Sequence, residues 1–274
     1  MDCQSIRMLM RINKDKSVGR VLFIVEGGKT EFSLLKRIFC NVLGYEYIEK
    51  RRDKANFFRS KNISTSKIAV INTEESNISD ICDENCYLDS VFETLISEYD
   101  FPVDKAAIYY IFDRDPKSNV NVPLIRKLIS QLTNAYENED GLRGGLLLLS
   151  YPCIESYVIA NFIDDTHLIE FSIGEEVKAF VAENNKEIQY NKITEDTVKK
   201  AASEMMKYLD MEQITLEIDN MGRTNLAIFE KQELRYFQNK TYKLVSLLSV
   251  ALIDLGIIEF DDICDSKQPQ YIPL

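Results

Sequence analysis

The chain reads as an α/β protein, with a mostly parallel sheet flanked by helices and a helical C-terminal portion. Three observations predict this. Short apolar runs alternate with amphipathic stretches over residues 20–165, two of those runs stop on carboxylates, and strand signals fade beyond residue 163. Strands that alternate with helices pair in parallel, because each helical crossover returns the chain to the same end of the sheet.

Residues 1–19 are expected to form an N-terminal arm. Val21-Leu22-Phe23-Ile24-Val25 is an unbroken apolar run, which predicts a buried strand over 20–25. Over 30–43, Leu34, Leu35, Ile38, Phe39 and Val42 recur on one face, as in an amphipathic helix. A second strand is expected at 67–72, a helix at 88–99, a third strand at 106–112 and a helix at 122–136. A fourth strand at 144–150 runs into Tyr151-Pro152, and a short apolar helix follows at 154–162. Beyond it, 175–187, 194–208 and 225–255 read as helices. In the last, Leu244, Leu247, Leu248, Ala251 and Leu255 fall at three- and four-residue spacing. No Pro/Gly/Ser linker separates the core (20–165) from the C-terminal portion (166–274), so the two are expected to pack as one body. The tail over 261–274 is acidic, then Pro-containing, and is expected to be loose.

At 274 residues and 45% hydrophobic content, the chain can bury a substantial core. No apolar run is long enough to span a membrane, and Met1-Asp2-Cys3 opens no signal sequence, so a cytoplasmic location is expected. The six cysteines are scattered and should stay reduced there. Cys82-x3-Cys86 is the one close pair, but His167 is the sole histidine and lies far along the chain. That argues against a zinc site and against a histidine-based nucleophile triad.

The net charge of −11 opposes a general nucleic-acid coat, yet residues 50–61 hold six basic residues against one acid. Within this strip Arg51, Arg52, Lys54 and Arg59 could hold phosphates, with Phe57 stacking a base. Two other readings remain: phenylalanines that dip into the core from a solvated loop, or a strip that docks an acidic patch on a partner protein.

Glu26 ends the first strand and is followed by Gly27-Gly28-Lys29-Thr30-Glu31; Asp113-Arg114-Asp115 ends another. Ligands bind at the carboxyl rim of such sheets. Alternation along a strand points Asp113 and Asp115 one way and Arg114 the other. A phosphate-binding P-loop would need glycine where Phe23 stands, and Gly-x-Gly-x-x-Gly is absent. A phosphatase of the haloacid-dehalogenase type would leave Glu26 unexplained. Carboxylates converging at one rim repel each other unless a cation lies between them, and hard oxygen ligands favour Mg2+ or Mn2+, one or two ions, over zinc.

The ordered set Glu-Gly-x-x-Thr-Glu (26–31), Asp-x-Asp (113–115) and Ser150-Tyr151-Pro152-Cys153-Ile154-Glu155 resembles the Toprim-fold nucleases of the OLD and RloB-like groups, over roughly residues 20–165. Within them it is most similar to the nuclease subunit of PARIS-type anti-phage systems. The resemblance implies a Toprim-like core and a metal-dependent endonuclease, the effector of abortive infection. It also implies an ABC-type ATPase partner that restrains the nuclease until infection, and a homodimer when active. Its nucleic-acid substrate would be tRNA rather than DNA. The alternatives are a DNA-cleaving OLD-like nuclease and a catalytically idle Toprim-like binding module. By position, Glu26, Asp113 and Asp115 match the family's catalytic, metal-binding acids. Glu31 and Glu155 match further metal ligands, and Lys240 stands for the family's late lysine. Lys29, on the glycine turn, could neutralise the substrate phosphate, with Glu26 binding a second ion or acting as general base.

Overall fold

The computed structural model describes residues 9–48, 55–72, 78–81, 93, 95–97, 101–136 and 144–261. The strands in chain order are β1 (Leu9–Ile12), β2 (Arg20–Val25), β3 (Tyr45–Ile48), β4 (Ala55–Ser60), β5 (Lys67–Asn72) and β6 (Ala106–Asp113). They continue as β7 (Thr133–Asn134), β8 (Gly145–Tyr151), β9 (Glu170–Phe171), β10 (Tyr242–Lys243), β11 (Val245–Ser246) and β12 (Ile258–Asp261). The main sheet runs β3-β4-β5-β2-β6-β8-β11, with β7 also paired to β8. Its four central strands, β5, β2, β6 and β8, are parallel.

These central strands are apolar along their whole length because both faces are covered. Val21 to Val25, Tyr109 to Phe112 and Leu146 to Leu149 are buried throughout. Phe23 stacks on Tyr109 at 5.4 Å between ring centroids and meets Phe39 on the other side at 5.6 Å. From β2 the chain moves to β5 on one flank; β6 then returns to the opposite flank. The carboxyl ends of β2 and β6 therefore flank the point where the winding reverses, which opens a crevice in sheets of this kind.

The helices are α1 (Thr30–Lys36), α2 (Val122–Gln131), α3 (Glu155–Phe162), α4 (Gly174–Glu183), α5 (Glu195–Glu212), α6 (Met221–Asn239) and α7 (Leu248–Asp254). The amphipathic stretch expected at 30–43 is helical throughout, but it loosens into a π-helical segment over Arg37–Val42. Helix α2 stops at Gln131, because Thr133 and Asn134 pair with β8. A capping box starts α5: Thr194 N–H donates to Thr197 Oγ1 at 2.9 Å, and Thr194 Oγ1 accepts from Thr197 N–H at 3.4 Å. Of the helix expected at 88–99, only 93 and 95–97 lie among the described residues, and Cys82, Cys86 and 262–274 lie outside them. Among the described residues no helix is long and apolar enough to cross a membrane.

Two expectations need correction. Residues 225–255 are not one helix. Lys240 adopts a left-handed conformation (φ +62°) that ends α6, and the chain re-enters as β10 and β11 before α7. The Gln232 side chain holds this break, donating to Lys243 O at 3.0 Å and accepting from Lys243 N–H at 3.1 Å. The apolar spacing misled because Leu244 and Leu247 are buried from extended segments, while Leu248, Ala251 and Leu255 are buried from α7 and its end. The stretch 55–60 is not a loop either. It is β4, antiparallel to β3 and β5, and both its phenylalanines are buried.

The C-terminal portion is tied to the sheet through Arg114. This guanidinium is 2% exposed and forms a bidentate pair with Glu233 of α6, Nε to Oε1 at 2.7 Å and Nη2 to Oε2 at 2.9 Å. Its third donor reaches Asn119 O at 2.9 Å, and its plane lies near the Tyr242 ring. Removing one member of a buried ion pair leaves the other charge uncompensated. Arg114→Ala should therefore cost about 3–5 kcal/mol in chemical denaturation. A loss near that of an exposed pair, under about 1 kcal/mol, would contradict this role.

Candidate metal and active site

Each acid of the site is placed by a strand end or by the first turn of a helix. Glu26 follows β2 directly and its N–H donates to Ile111 O at 3.1 Å, extending the β2–β6 ladder by one step. Its Oε2 accepts the Asp113 N–H at 2.7 Å, so the two acidic residues are held together by the backbone of one and the side chain of the other. Asp113 Oδ1 in turn accepts the Ile154 N–H at 2.8 Å, which aims the start of α3 at the same point. This places Glu155, in the first turn of α3, beside Asp113. The ligand atoms of Asp113, Cys153 and Glu155 all lie within 4.8 Å of one another. Glu31 enters from the first turn of α1. It stands so close to Gly27 that a Cβ there would meet Glu31 Oε2 at 2.6 Å, so a side chain at 27 would push the Glu31 carboxylate out of its present position.

These carboxylates are withdrawn from water: Glu26 and Glu31 are 7% exposed and Glu155 is 5% exposed. Burial raises the Glu26 pKa to about 7; the Asp113 amide bond works against the rise, and the charge of Glu31 adds to it. Burial, then the charges of Glu26, Glu31 and Glu155, push Asp113 well above the usual carboxylate range. Glu31 is raised as well, by burial first, with Glu155 adding to it against the hydrogen bond from its own amide. Burial and the charge of Asp113 also push the Cys153 thiol up, so it stays protonated beside these acids and the oxygens remain the donors on offer. Asn119 bridges the group, donating to Asp113 O at 2.6 Å and reaching both Glu26 oxygens at 3.4 Å.

The arrangement is incomplete as it stands. Glu155 Oε2 is buried with no hydrogen-bond partner. An orphaned carboxylate oxygen among three other buried acids fits a divalent cation, whose charge would reverse the mutual repulsion and supply the missing partner. Glu26, Asp113 and Glu155, with Glu31 behind them, are the residues that could hold it.

The other sequence-derived candidates are dispersed. Asp115 lies beyond the end of β6 at Asp113, and its oxygens accept the Gly174 N–H at 3.2 Å and the Lys117 N–H at 3.0 Å. It anchors the start of α4, where a Cβ on Gly174 would collide with it at 2.8 Å. Lys29 is exposed on the turn before α1. Lys240 sits at the end of α6 with its ammonium over the rings of Tyr236 and Phe237, and among the described residues it makes no contact with the acids. Phe57 is buried in β4 beside Phe101, at 6.2 Å between centroids, so its ring is not offered to a base. Arg59 pairs with Glu46 across the β3–β4 hairpin at 3.3 Å. Arg51, Arg52 and Lys54 lie outside the described residues.

Lys178, on α4, is a further charged residue near the acids that sequence reasoning missed. Burial works to lower its pKa, but the charges of Glu155, Cys153, Asp113 and Glu31 outweigh that and raise it. Among the described residues it is a cation whose charge acts on Glu26, Glu31 and Asp113 in turn. Nothing in Gly174-Glu175-Glu176-Val177-Lys178 distinguishes it from an ordinary solvated helix lysine.

No protein-family model and no curated protein matches the chain. Among solved structures, it aligns with a hypothetical protein from Pyrococcus horikoshii OT3 at 13% identity, over 87% of this chain and 94% of that one. The TM-score of 0.31 is too low for that likeness to bear on fold or function.

The acidic centre makes stability depend on pH in a defined direction. The folded chain favours protonated Glu26, whose pKa is about 7 against an ordinary 4.5. The stability from this group is fully present below the ordinary value and is lost as pH rises through about 7. In EDTA, the chain should lose stability between pH 5 and 8, and Glu26→Gln should recover about 1–3 kcal/mol of that loss at pH 8. Parallel pH profiles for the two proteins would show that Glu26 is not held as described.

Proposed function

We propose that this chain is a divalent-metal-dependent phosphodiester hydrolase, an endonuclease with Mg2+ or Mn2+ held at the carboxyl ends of β2 and β6. The observation that carries the reading is the partnerless Glu155 Oε2, buried among Glu26, Glu31 and Asp113. Buried polar atoms are normally satisfied, and this one belongs to a carboxylate whose ligand atom lies within 4.8 Å of those of Asp113 and Cys153, where a cation would supply the partner. Glu26, Asp113 and Glu155 would hold the ion, with Glu31 as a further ligand. When bound, the ion supplies a water of lowered pKa and positive charge opposite the phosphate.

The protein's own groups do the rest. The Asp113 N–H fixes the orientation of Glu26, and the Ile154 N–H fixes that of Asp113. Asn119 keeps the Glu26 oxygens turned toward β6. Lys178, and Lys29 on the exposed glycine turn, provide positive charge for an incoming phosphate. Asp115 keeps α4, and with it Lys178, at the rim.

The motif resemblance extends this reading to biology. It supports an effector of abortive infection that cuts tRNA, restrained by an ABC-type ATPase and active as a homodimer. On the same grounds the core is Toprim-like.

EDTA should abolish cleavage of nucleic acid by the purified chain, and added Mg2+ or Mn2+ should restore it. Glu155→Gln should lower the rate by ~100-fold or more, the upper end of what loss of a group supporting a metal ligand costs. Cleavage that persists in EDTA, or in Glu155→Gln at the wild-type rate, would refute the reading. Sequencing of cellular RNA and DNA ends after expression, with Glu26→Ala as control, identifies the substrate. New ends in tRNA support the effector reading, and new ends in DNA alone overturn the tRNA assignment.

A further inference from the structure

An open groove of about 760 Å³ lies between α1 and the 188–191 segment, and its lining includes Thr30, the neighbour of Glu31. Lys29, Lys36 and Arg37 form one wall, from the turn before α1 to the start of the π-helical segment; Gln189, Tyr190 and Asn191 form the other. The chain carries 44 acids against 33 bases, so cations on this surface would ordinarily find carboxylates. These do not. Lys29 and Arg37 have no ion-pair partner among the described residues. The Lys36 ammonium lies over the Tyr47 ring, 4.1 Å from its centroid, rather than against an acid.

The groove also approaches the site from both walls. Burial, then the charges of Glu155, Cys153, Glu31 and Asp113, raise the Tyr190 hydroxyl, so the far wall reaches the carboxylates. On the near wall, α1 carries Glu31 in the acidic centre at one end and Lys36 in the groove at the other. The helical rise puts Arg37 ~9 Å along the axis from Glu31.

We infer that this groove holds the backbone of a single-stranded nucleic acid and leads it into the acidic centre, an inference that rests on the hydrolase reading above. Lys29, Lys36 and Arg37 meet the phosphates, Tyr190 offers a ring for stacking, and Gln189 and Asn191 offer hydrogen bonds to sugar and base edges. Its volume is that of a small-ligand cleft, room for a nucleotide or two of one strand. The strand is thus guided by α1 and the 188–191 segment rather than by the β4 strip, where Phe57 is buried and Arg59 is paired.

Fluorescence anisotropy of a short labelled single-stranded RNA tests this, with Mg2+ present and the chain carrying Glu26→Gln so that the probe is not cut. Adding Lys36→Glu and Arg37→Glu should weaken binding ~10-fold and reduce the salt slope by about 1.4, the loss of two single-strand phosphate contacts. Arg37→Lys should retain the slope. Tyr190→Ala should weaken binding with the slope unchanged. Unchanged affinity and slope in the double reversal would overturn the inference, as would a polyglutamate peptide that competes as well as the RNA. The two readings also fail separately. Groove-dependent RNA binding by a chain that cleaves no nucleic acid would keep the groove and refute the hydrolase. Wild-type cleavage with undisturbed binding in the reversals would do the opposite.

Discussion

The hydrogen bond from the Asp113 amide to Glu26 Oε2 fixes two like charges side by side at the carboxyl ends of adjacent parallel strands. Everything around the site answers to that constraint. Two buried carboxylates this close cannot both ionise without help, and Glu31 and Glu155 make the difficulty worse. The protein meets it with amide donors from Asp113 and Ile154, with the Asn119 bridge and with the nearby charge of Lys178. It leaves one oxygen, on Glu155, without a partner. Repulsion stored in a folded site is a means of binding a cation tightly, because the ion removes the repulsion and fills the last valence together.

The same strand end carries its own brace. Asp113 ends β6 facing the site, and Arg114 after it turns to Glu233 and Asn119 O, which take one hydrogen bond from each of its three nitrogens. Asn119 links the two, since its oxygen and its amide serve Ile78 N–H, Asp113 O and Glu26. The helical C-terminal portion is thus part of the support for the rim. It also supplies α4, whose first amide holds Asp115 and whose lysine faces the acids.

Much of the core and the heart of the site were legible in the sequence, because both follow from local pattern. The apolar runs of β2, β5, β6 and β8 need no partner to be recognised, and acids ending two of them mark the rim. Asp113 and Glu26 were legible for that reason, and Glu155 only through the resemblance of the Ser150–Glu155 segment to a known motif. Tertiary context decided the rest. Phe57 and Phe58 stand in a basic segment, yet a hairpin against β5 buries them. Residues 242–246 carry a helix-like spacing, yet strand pairing with β9 and β8 extends them. Lys178 and the cationic groove were illegible because their meaning lies in what faces them from other elements: Glu155 and Asp113 for the lysine, and for the groove a segment about 150 residues beyond α1.

The central claim is that the buried acids form a cation site, and the most direct test is calorimetric titration of Mn2+ into the metal-free chain at neutral pH, in buffers of different ionisation enthalpy. The account predicts saturable binding with proton release, because carboxyls held above their ordinary pKa must ionise to take the ion, and much weaker binding in Glu155→Gln. Absence of saturable binding, or binding of equal strength and without proton release in both proteins, would contradict it.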